Sequence, residues 1–455
     1  MSTHEHSRLT RGLKNRHIQM IALGGAIGTG LFYGSAASIQ LAGPSIIISY
    51  LVGGAVMYLI MRMLGEMSTA EPVAGAFSHF AYKYWGRFPG FLAGWNYWFL
   101  YILVSMAELT VVGIYVAYWL PDFPVWLASL LVLVTVTAIN LGGVRAFGEF
   151  EFWFALVKVL AVVGMIVFGT LLIFSGADNG VGVQNLWVHG GFFPNGGWGM
   201  LLSLAVVMFS FGGTELVGIA AGEADNPRES IPRAVRQVMW RILIFYIGSI
   251  TVLMILFPWR SIGVEGSPFV VIFSRLGVGP AADVLNFVVL TAAISVYNSG
   301  IYSNGRMLHA LAEQGNAPGI FLRLNAGKVP YVGVLFSSCC TLAAVAINYL
   351  VPEGAFMQVM AVATAAATVT WAMIVLVHIR FRKAHRALQQ RLVFPAPLFP
   401  YANYACLAFL VLVVMAMTQI DGMRTAVYVL PAWLAVLYSG YLVKTRLADN
   451  RSPQP

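Results

Sequence analysis

Charge is what this chain has least of. Only 10% of its 455 residues are Asp, Glu, Lys or Arg, against about 25% in soluble domains. That leaves too little polar surface to cover a soluble protein of this length, and 59% of the residues are hydrophobic. Cysteine is nearly absent as well. Cys339, Cys340 and Cys406 all fall inside apolar runs, and no disulfide framework or metal-ligand spacing follows from them. No Ser–His–Asp set and no metal-ligand spacing is visible, so nothing points to an enzyme, a metal or any other cofactor. A cleavable leader is not indicated: the first apolar run begins near Ile18 without a small-residue cleavage pattern and reads as a retained span.

What the chain does have is long apolar runs. A helix needs roughly 20 such residues to cross the hydrocarbon core. Twelve runs qualify: 18–40, 45–67, 90–120, 125–141, 152–174, 199–222, 242–259, 284–311, 332–350, 356–379, 401–418 and 425–442. They are continuous rather than alternating, as expected of helices and not of barrel strands. The separators are rich in Gly, Pro, Asn and charge, and none is long enough for a separate soluble domain. The expected fold is therefore all-α, a polytopic membrane protein with 12 transmembrane helices.

The basic residues fix the expected orientation. Of 27 Lys and Arg, 23 fall on one side; Arg260, Arg275 and Arg424 fall on the other and Lys158 lies within a span. Positive-inside bias then puts both termini in the cytoplasm. It also accounts for the net charge of +9 without a nucleic-acid partner.

Two spans carry glycines where a helix should not want them. "ALGGAIGTGLF" occupies residues 22–32 and "FSFGGTELVG" residues 209–218, although glycine is roughly 1 kcal/mol worse than alanine inside a helix. A phosphate-cradling loop would need a preceding strand, and none is visible. Span 1 begins in the cytoplasm and span 6 outside. Interrupted spans at matching positions of two inverted halves are the pattern of a secondary transporter. The chain then divides into a cytoplasmic N-terminal tail (1–17), a first inverted repeat (18–174), a second (199–379), spans 11 and 12 (401–442) and a cytoplasmic C-terminal tail (443–455). Freed N–H groups at a break can hold a carboxylate and freed carbonyls an ammonium. The candidate binding residues are Ala26, Ile27, Gly28, Thr29 and Gly30 in span 1, with Ser210, Gly212 and Glu215 in span 6. Close helix packing by small residues is the alternative reading of the same glycines.

Ionisable groups at membrane depth are functional candidates by default. Glu108 is central in span 3, where it is protonated, paired, facing a cavity or simply hydrogen-bonded. Glu215 follows the second break; it binds an ammonium, carries a proton or caps freed amides. Lys158 either snorkels to the interface or is buried and exchanges a proton. Phe209 and Phe211 flank the second break, and Tyr97 and Tyr101 lie on span 3; each is a pocket candidate, with ordinary packing as the alternative. Glu66 and Glu223 lie near the ends of spans 2 and 6, where gate hydrogen bonding, pairing to Arg and plain interfacial solvation all fit. His79 and His309 carry no assigned role.

Five strings occur in one order: "LKNRHIQMIALGGAIGTGLF", "AEPVAGAFSHFAYKYWG", "FGEFEFWFALVKV", "AGEADNPRESIP" and "SVYNSGIYSNGRMLHALAEQGNAP". Together they resemble the bacterial amino-acid permeases of the amino acid–polyamine–organocation superfamily, over roughly residues 9–447. The chain is most similar to the aromatic amino-acid and phenylalanine permease branch; proline, histidine and 4-aminobutyrate permeases share many of the strings. The resemblance implies a five-plus-five inverted repeat with discontinuous helices 1 and 6, plus two extra C-terminal helices. It implies proton-coupled import of phenylalanine, tyrosine or tryptophan through the bacterial inner membrane, by a monomer whose partners are substrate, protons and the bilayer. Proton-coupled relatives carry a lysine on the fifth span where sodium-coupled relatives bind the ion. Lys158 matches that position, with Ser295 and Ser299 on span 8 as oxygen neighbours. Relatives also cover the substrate with an aromatic residue of span 6, a role open to Phe209 or Phe211. A permease for another neutral amino acid, an exchanger and a receptor that binds without transport are the competing expectations.

Overall fold

The computed structural model describes residues 16–17, 19–20, 27–73, 75–175, 181–220, 226–262, 267–270, 279–350, 355–387 and 392–449. Among them there is no strand. Eight helical stretches are long and apolar enough to cross a bilayer, and Val125–Leu141, Tyr331–Ala346 and Tyr401–Met417 are shorter apolar helices. The chain is a multi-pass membrane protein.

The helices that matter for the site are these. The first interrupted span resumes as a short α1 (Thr29–Phe32) and α2 (Ser35–Ala42), and a single 3-10 turn leads into α3 (Ile46–Ala70). An amphipathic α4 (Ala76–Trp85) precedes α5 (Arg87–Ala117), α6 (Val125–Leu141) and α7 (Val144–Ser175). The second interrupted span is α8 (Gly196–Val207), a 3-10 turn (Met208–Phe211) and α9 (Leu216–Ala220). Then come α10 (Pro227–Arg241), a π-helical stretch (Ile242–Gly248), α11 (Ser249–Leu256), α12 (Gly279–Glu313), α13 (Tyr331–Leu350), α14 (Ala355–Ala387), α15 (Tyr401–Met417) and α16 (Arg424–Asp449).

Several helices outrun their apolar runs. The fifth expected span starts at 152, yet α7 begins at Val144 and carries Glu149 and Glu151. The seventh starts at 242, yet α10 begins fifteen residues earlier, at Pro227. Asn226 holds the N-cap position, its side chain donating to Glu229 rather than capping, and proline takes the first helical position, where its missing N–H is no loss. Hydropathy marks only the apolar part of a helix, so polar continuations leave no trace in it.

Packing sorts the helices into an inner and an outer set. The apolar stretches of α5, α12 and α14 are about four-fifths buried by protein, whereas those of α7 and α16 are only 22% and 17% buried and face outward. Apolar burial does not drive helices together in lipid, so close packing must. Small residues allow it: a Cβ on Gly94 of α5 would lie 2.4 Å from Leu311 of α12, and one on Gly300 of α12 would lie 2.7 Å from Ser105 of α5. The two interrupted spans run against this inner set.

Candidate functional site

Both breaks are present in the backbone. Gly28 is extended ahead of α1, and its carbonyl accepts from the Leu31 N–H at 3.2 Å. In the second, Gly212 leaves the 3-10 turn in an extended conformation. Gly213 then takes φ +90°, a conformation that a side chain would oppose. The two breaks touch. A Cβ on Gly30 would stand 2.8 Å from the Ser210 Cα, and one on Gly28 would meet Val296 at 2.8 Å and Glu108 Oε1 at 3.0 Å. The packing reading therefore holds at Gly30, whose lack of a side chain lets the two main chains meet.

Between the breaks lies a cavity of about 30 Å³, room for roughly one or two waters. Gly28, Gly30, Phe209, Ser210 and Gly212 line it from the interrupted spans, Tyr101 and Glu108 from α5, and Val296 and Trp371 from α12 and α14. All but the last two are sequence candidates. Ile27 is buried beside them, and the Thr29 hydroxyl turns away to donate to Glu108 Oε1 at 2.9 Å. Ala26 lies outside the described residues, as does Glu223.

The two carboxylates have unequal partners. Glu215 does not line the cavity. It accepts from Tyr101 OH at 3.2 Å, Gly213 N–H at 3.3 Å and Trp371 Nε1 at 3.5 Å, while the Thr214 hydroxyl donates to Phe211 O at 3.1 Å. Glu108 lines the cavity, and beyond the Thr29 contact its Oε2 is buried with no hydrogen-bond partner. A buried carboxylate oxygen left so is costly unless something arrives to use it.

The aromatic candidates separate as well. Phe209 faces the cavity and meets Phe356 edge-on at 6.2 Å. Phe211 points the other way, against Tyr50 and Tyr246. Tyr101 lines the cavity, whereas Tyr97 lies behind it, against Phe77 and Tyr101. The Ser210 backbone is held by Tyr246 OH, which donates to Ser210 O at 2.7 Å, while Tyr50 OH lies 3.1 Å from Ser210 Oγ.

Lys158 is fully buried, which rules out snorkelling. Its Nζ donates to Ser295 Oγ at 2.9 Å, and Ser295 Oγ donates to Glu151 Oε1 at 2.7 Å. Lys158 and Glu151 are 4.0 Å apart, a buried pair bridged by a hydroxyl. Asn298 Nδ2 approaches Glu151 Oε2 at 3.5 Å and its own oxygen accepts from Asn140 at 2.8 Å. Ser299 is buried nearby without a hydrogen bond of its own. Both span-8 hydroxyls are buried at this cluster, with Ser299 facing the same Glu151 carboxylate.

Glu66 pairs with arginine rather than with solvent. It is buried between α3 and α14, 2.5 Å from Arg382 Nε and 3.2 Å from His378 Nε2. His309 sits against Phe321 O at 3.1 Å. Outside the spans, Glu71 accepts from Lys83 at 2.7 Å and from Tyr84. Burial pushes the Glu71 carboxyl up, but those two donors outweigh it and hold it below the usual range.

Two residues that the geometry brings to these clusters were missed in the sequence, each with a usable signal. Glu151 lies seven residues before Lys158, two helical turns, and so shares its face. Trp371 sits deep in an apolar run, away from the interface belts where tryptophan collects, and the small Ala363 and Ala367 beside the cavity leave room for it.

Comparison with known proteins gives a consistent result. The family model for "Amino acid permease" matches residues 17–452. The aromatic amino acid transport protein AroP of Escherichia coli (strain K12) is 55% identical over 444 residues, 97% of each chain. The protein of the same name from Salmonella typhimurium (strain LT2) is 53% identical over 452 residues, 99% of each. An uncharacterized amino acid permease, YtnA, of Bacillus subtilis (strain 168) is 48% identical over 444 residues, covering 97% of this chain and 96% of its own.

Proposed function

The chain belongs to the amino acid permease family, and on that premise we propose that it imports aromatic amino acids by coupling their entry to protons. It is a transporter and not an enzyme, as its relatives are. One observation carries the substrate site: two backbone breaks and a buried carboxylate with a bare oxygen converge on a cavity walled by Phe209, Tyr101 and Trp371. In this reading the amides around Gly28–Gly30 receive the substrate carboxylate, and Glu108 receives the ammonium. Phe209 and Trp371 enclose the aromatic ring. A cavity of about 30 Å³ is too small for phenylalanine, so the conformation is a closed one. Substrate entry has to move those rings apart. Glu215, with its donors taken up, shapes the second break rather than binding substrate.

Proton coupling rests on Lys158, Ser295 and Glu151. A proton taken up by this cluster from outside and later lost to the cytoplasm, with the Ser295 hydroxyl bridging Lys158 and Glu151, changes the buried net charge by one. That change biases a two-state equilibrium, as coupling requires. The architecture that fits this cycle is twelve spans, with residues 18–174 and 199–379 as inverted repeats and 401–442 as two added helices. Both tails lie in the cytoplasm, and a monomer works in the bacterial inner membrane. The test is uptake of labelled phenylalanine into proteoliposomes under an imposed pH gradient, against a panel of unlabelled amino acids. Tyrosine and tryptophan should compete and uptake should follow the gradient. Competition by proline or histidine alone overturns the substrate, and full counterflow activity without gradient response overturns the coupling.

A further inference from the structure

The exposed residues of α10 and the π-helical stretch after it form one stripe: Arg228 and Glu229, Arg233, Arg236, Met239 and Trp240, then Leu243 and Ile244. Steps of three to four residues keep these positions on a single helix face. Along the stripe the chemistry changes in order, from guanidinium to indole to aliphatic. That is the order met when passing from water through the headgroup layer into hydrocarbon.

Beside Arg228 and Arg236 lies a recess of about 380 Å³, closed on its far side by Val393 and Phe394. Its wall is fixed: the Arg62 guanidinium lies 4.1 Å over the Phe394 ring and donates to Pro395 O at 2.7 Å. Glu229 also faces the recess, but its oxygens are taken by Arg233 at 2.8 Å and Asn226 Nδ2 at 3.1 Å. Arg236 donates from Nε to Pro232 O at 3.3 Å. Neither Arg228 nor Arg236 pairs with a carboxylate among the described residues. Positive-inside bias alone explains basic side chains at this end of the bundle. It does not explain a walled recess with two guanidiniums spare, opening onto a lipid-facing stripe.

We propose that this recess binds the phosphate headgroup of an anionic phospholipid. The spare N–H groups of Arg228 and Arg236 bond the phosphate oxygens, a planar donor set suited to that anion. The acyl chains run down past Trp240 to Leu243 and Ile244. The lipid thereby ties α10 to the segment before α15.

The experiment is native mass spectrometry of the full-length, detergent-purified protein, titrated with phosphatidylglycerol or phosphatidylcholine. Loss of one basic group near an anionic surface is worth roughly fivefold in affinity, so the double variant Arg228→Gln/Arg236→Gln should retain phosphatidylglycerol at least tenfold less well. Phosphatidylcholine retention should not change. The charge-keeping pair Arg228→Lys/Arg236→Lys should retain an intermediate amount and controls for folding. A control pair on the exposed end of α14, Lys383→Gln/Arg386→Gln, should bind as the wild type. Equal phosphatidylglycerol retention by the Gln pair overturns the site, and an equal loss in the control pair reduces it to diffuse surface charge. Displacement of the lipid by inorganic phosphate also overturns it, making the recess a general anion pocket.

Discussion

Glu108 lines the small cavity and Glu215 lies behind its Tyr101 and Trp371 walls; both are buried, and they differ in how many donors each holds. Glu215 receives three, two of them from Tyr101 and Trp371, which also line the cavity. Glu108 receives the Thr29 hydroxyl and keeps one oxygen bare. A carboxylate with its donors in place is part of the scaffold. One with a bare oxygen facing a cavity is placed to receive a cation. Depth in the membrane does not separate the two; their hydrogen bonds do.

The strongest way to break this comparison is to neutralise each carboxyl in turn. Glu108→Gln keeps the shape and the Thr29 contact but removes the charge. Removing one member of a buried charge pair costs about 3–5 kcal/mol, so phenylalanine uptake should fall at least 100-fold with folding intact. Glu215→Gln sets an amide N–H against one of the donors. It should lower thermal stability, by about 1–3 kcal/mol, more than it lowers uptake. Initial rates and melting of matched purified protein decide it; Glu215→Gln losing all uptake at unchanged stability reverses the assignment.

A second test extends the comparison to the carboxylate that does have a cation. Lys158→Ala and Lys158→Arg should both abolish the response to an imposed pH gradient, because arginine keeps the charge without releasing a proton. A gradient of one pH unit is worth about tenfold in accumulation, and that tenfold should vanish in both variants. Gradient-driven uptake by Lys158→Arg at the wild-type level removes Lys158 as an obligatory carrier.

The aromatic pair sharpens the picture at similar scale. Burial of a ring contributes roughly 1.5–3 kcal/mol, so Phe209→Ala should raise the KM for phenylalanine about tenfold relative to a small amino acid. Phe211→Ala should leave that ratio alone and reduce stability instead, by about 3–5 kcal/mol. KM ratios in proteoliposomes and a melting curve separate the two.

The smallest effect belongs to Glu71, a multiply bonded carboxylate placed in water. Its carboxyl is held below 4.5 by Lys83 and Tyr84 against the opposing pull of burial. Because the folded value is the lower one, its stabilisation is present above the unfolded value and disappears as pH falls through the folded one. Partly exposed, it is worth roughly 1 kcal/mol or less. Glu71→Gln should therefore melt slightly below wild type at neutral pH and match it in acid; a difference that grows in acid contradicts the sign.

Much of this was legible beforehand, for physical reasons. Bilayer thickness imposes long apolar runs, so the spans could be drawn, and glycines in such runs are conspicuous enough to mark both breaks. Contacts were harder. Gly28 and Gly30 look alike in sequence, yet one faces Glu108 and the other the Ser210 main chain. Phe209 and Phe211 are two residues apart and point to opposite sides, a choice that only the 3-10 turn makes. Glu151 fell one residue outside the expected fifth span, because a charged end of a helix carries no hydropathy. Trp371 was lost among tryptophans assigned to the interface.

The π-helical stretch Ile242–Gly248 has a mechanical consequence. Its bonds skip one residue more than those of an α-helix, which amounts to a single inserted residue absorbed without a loop. Since each α-helical residue turns the chain by about 100°, the insertion resets the phase between α10 and α11. The basic stripe before it and the protein-buried turns after it can each choose their own facing, with Tyr246 at the joint and its hydroxyl on Ser210 O. Deleting one residue there should leave a longer, straighter helix and a protein in which that hydroxyl no longer reaches the second break.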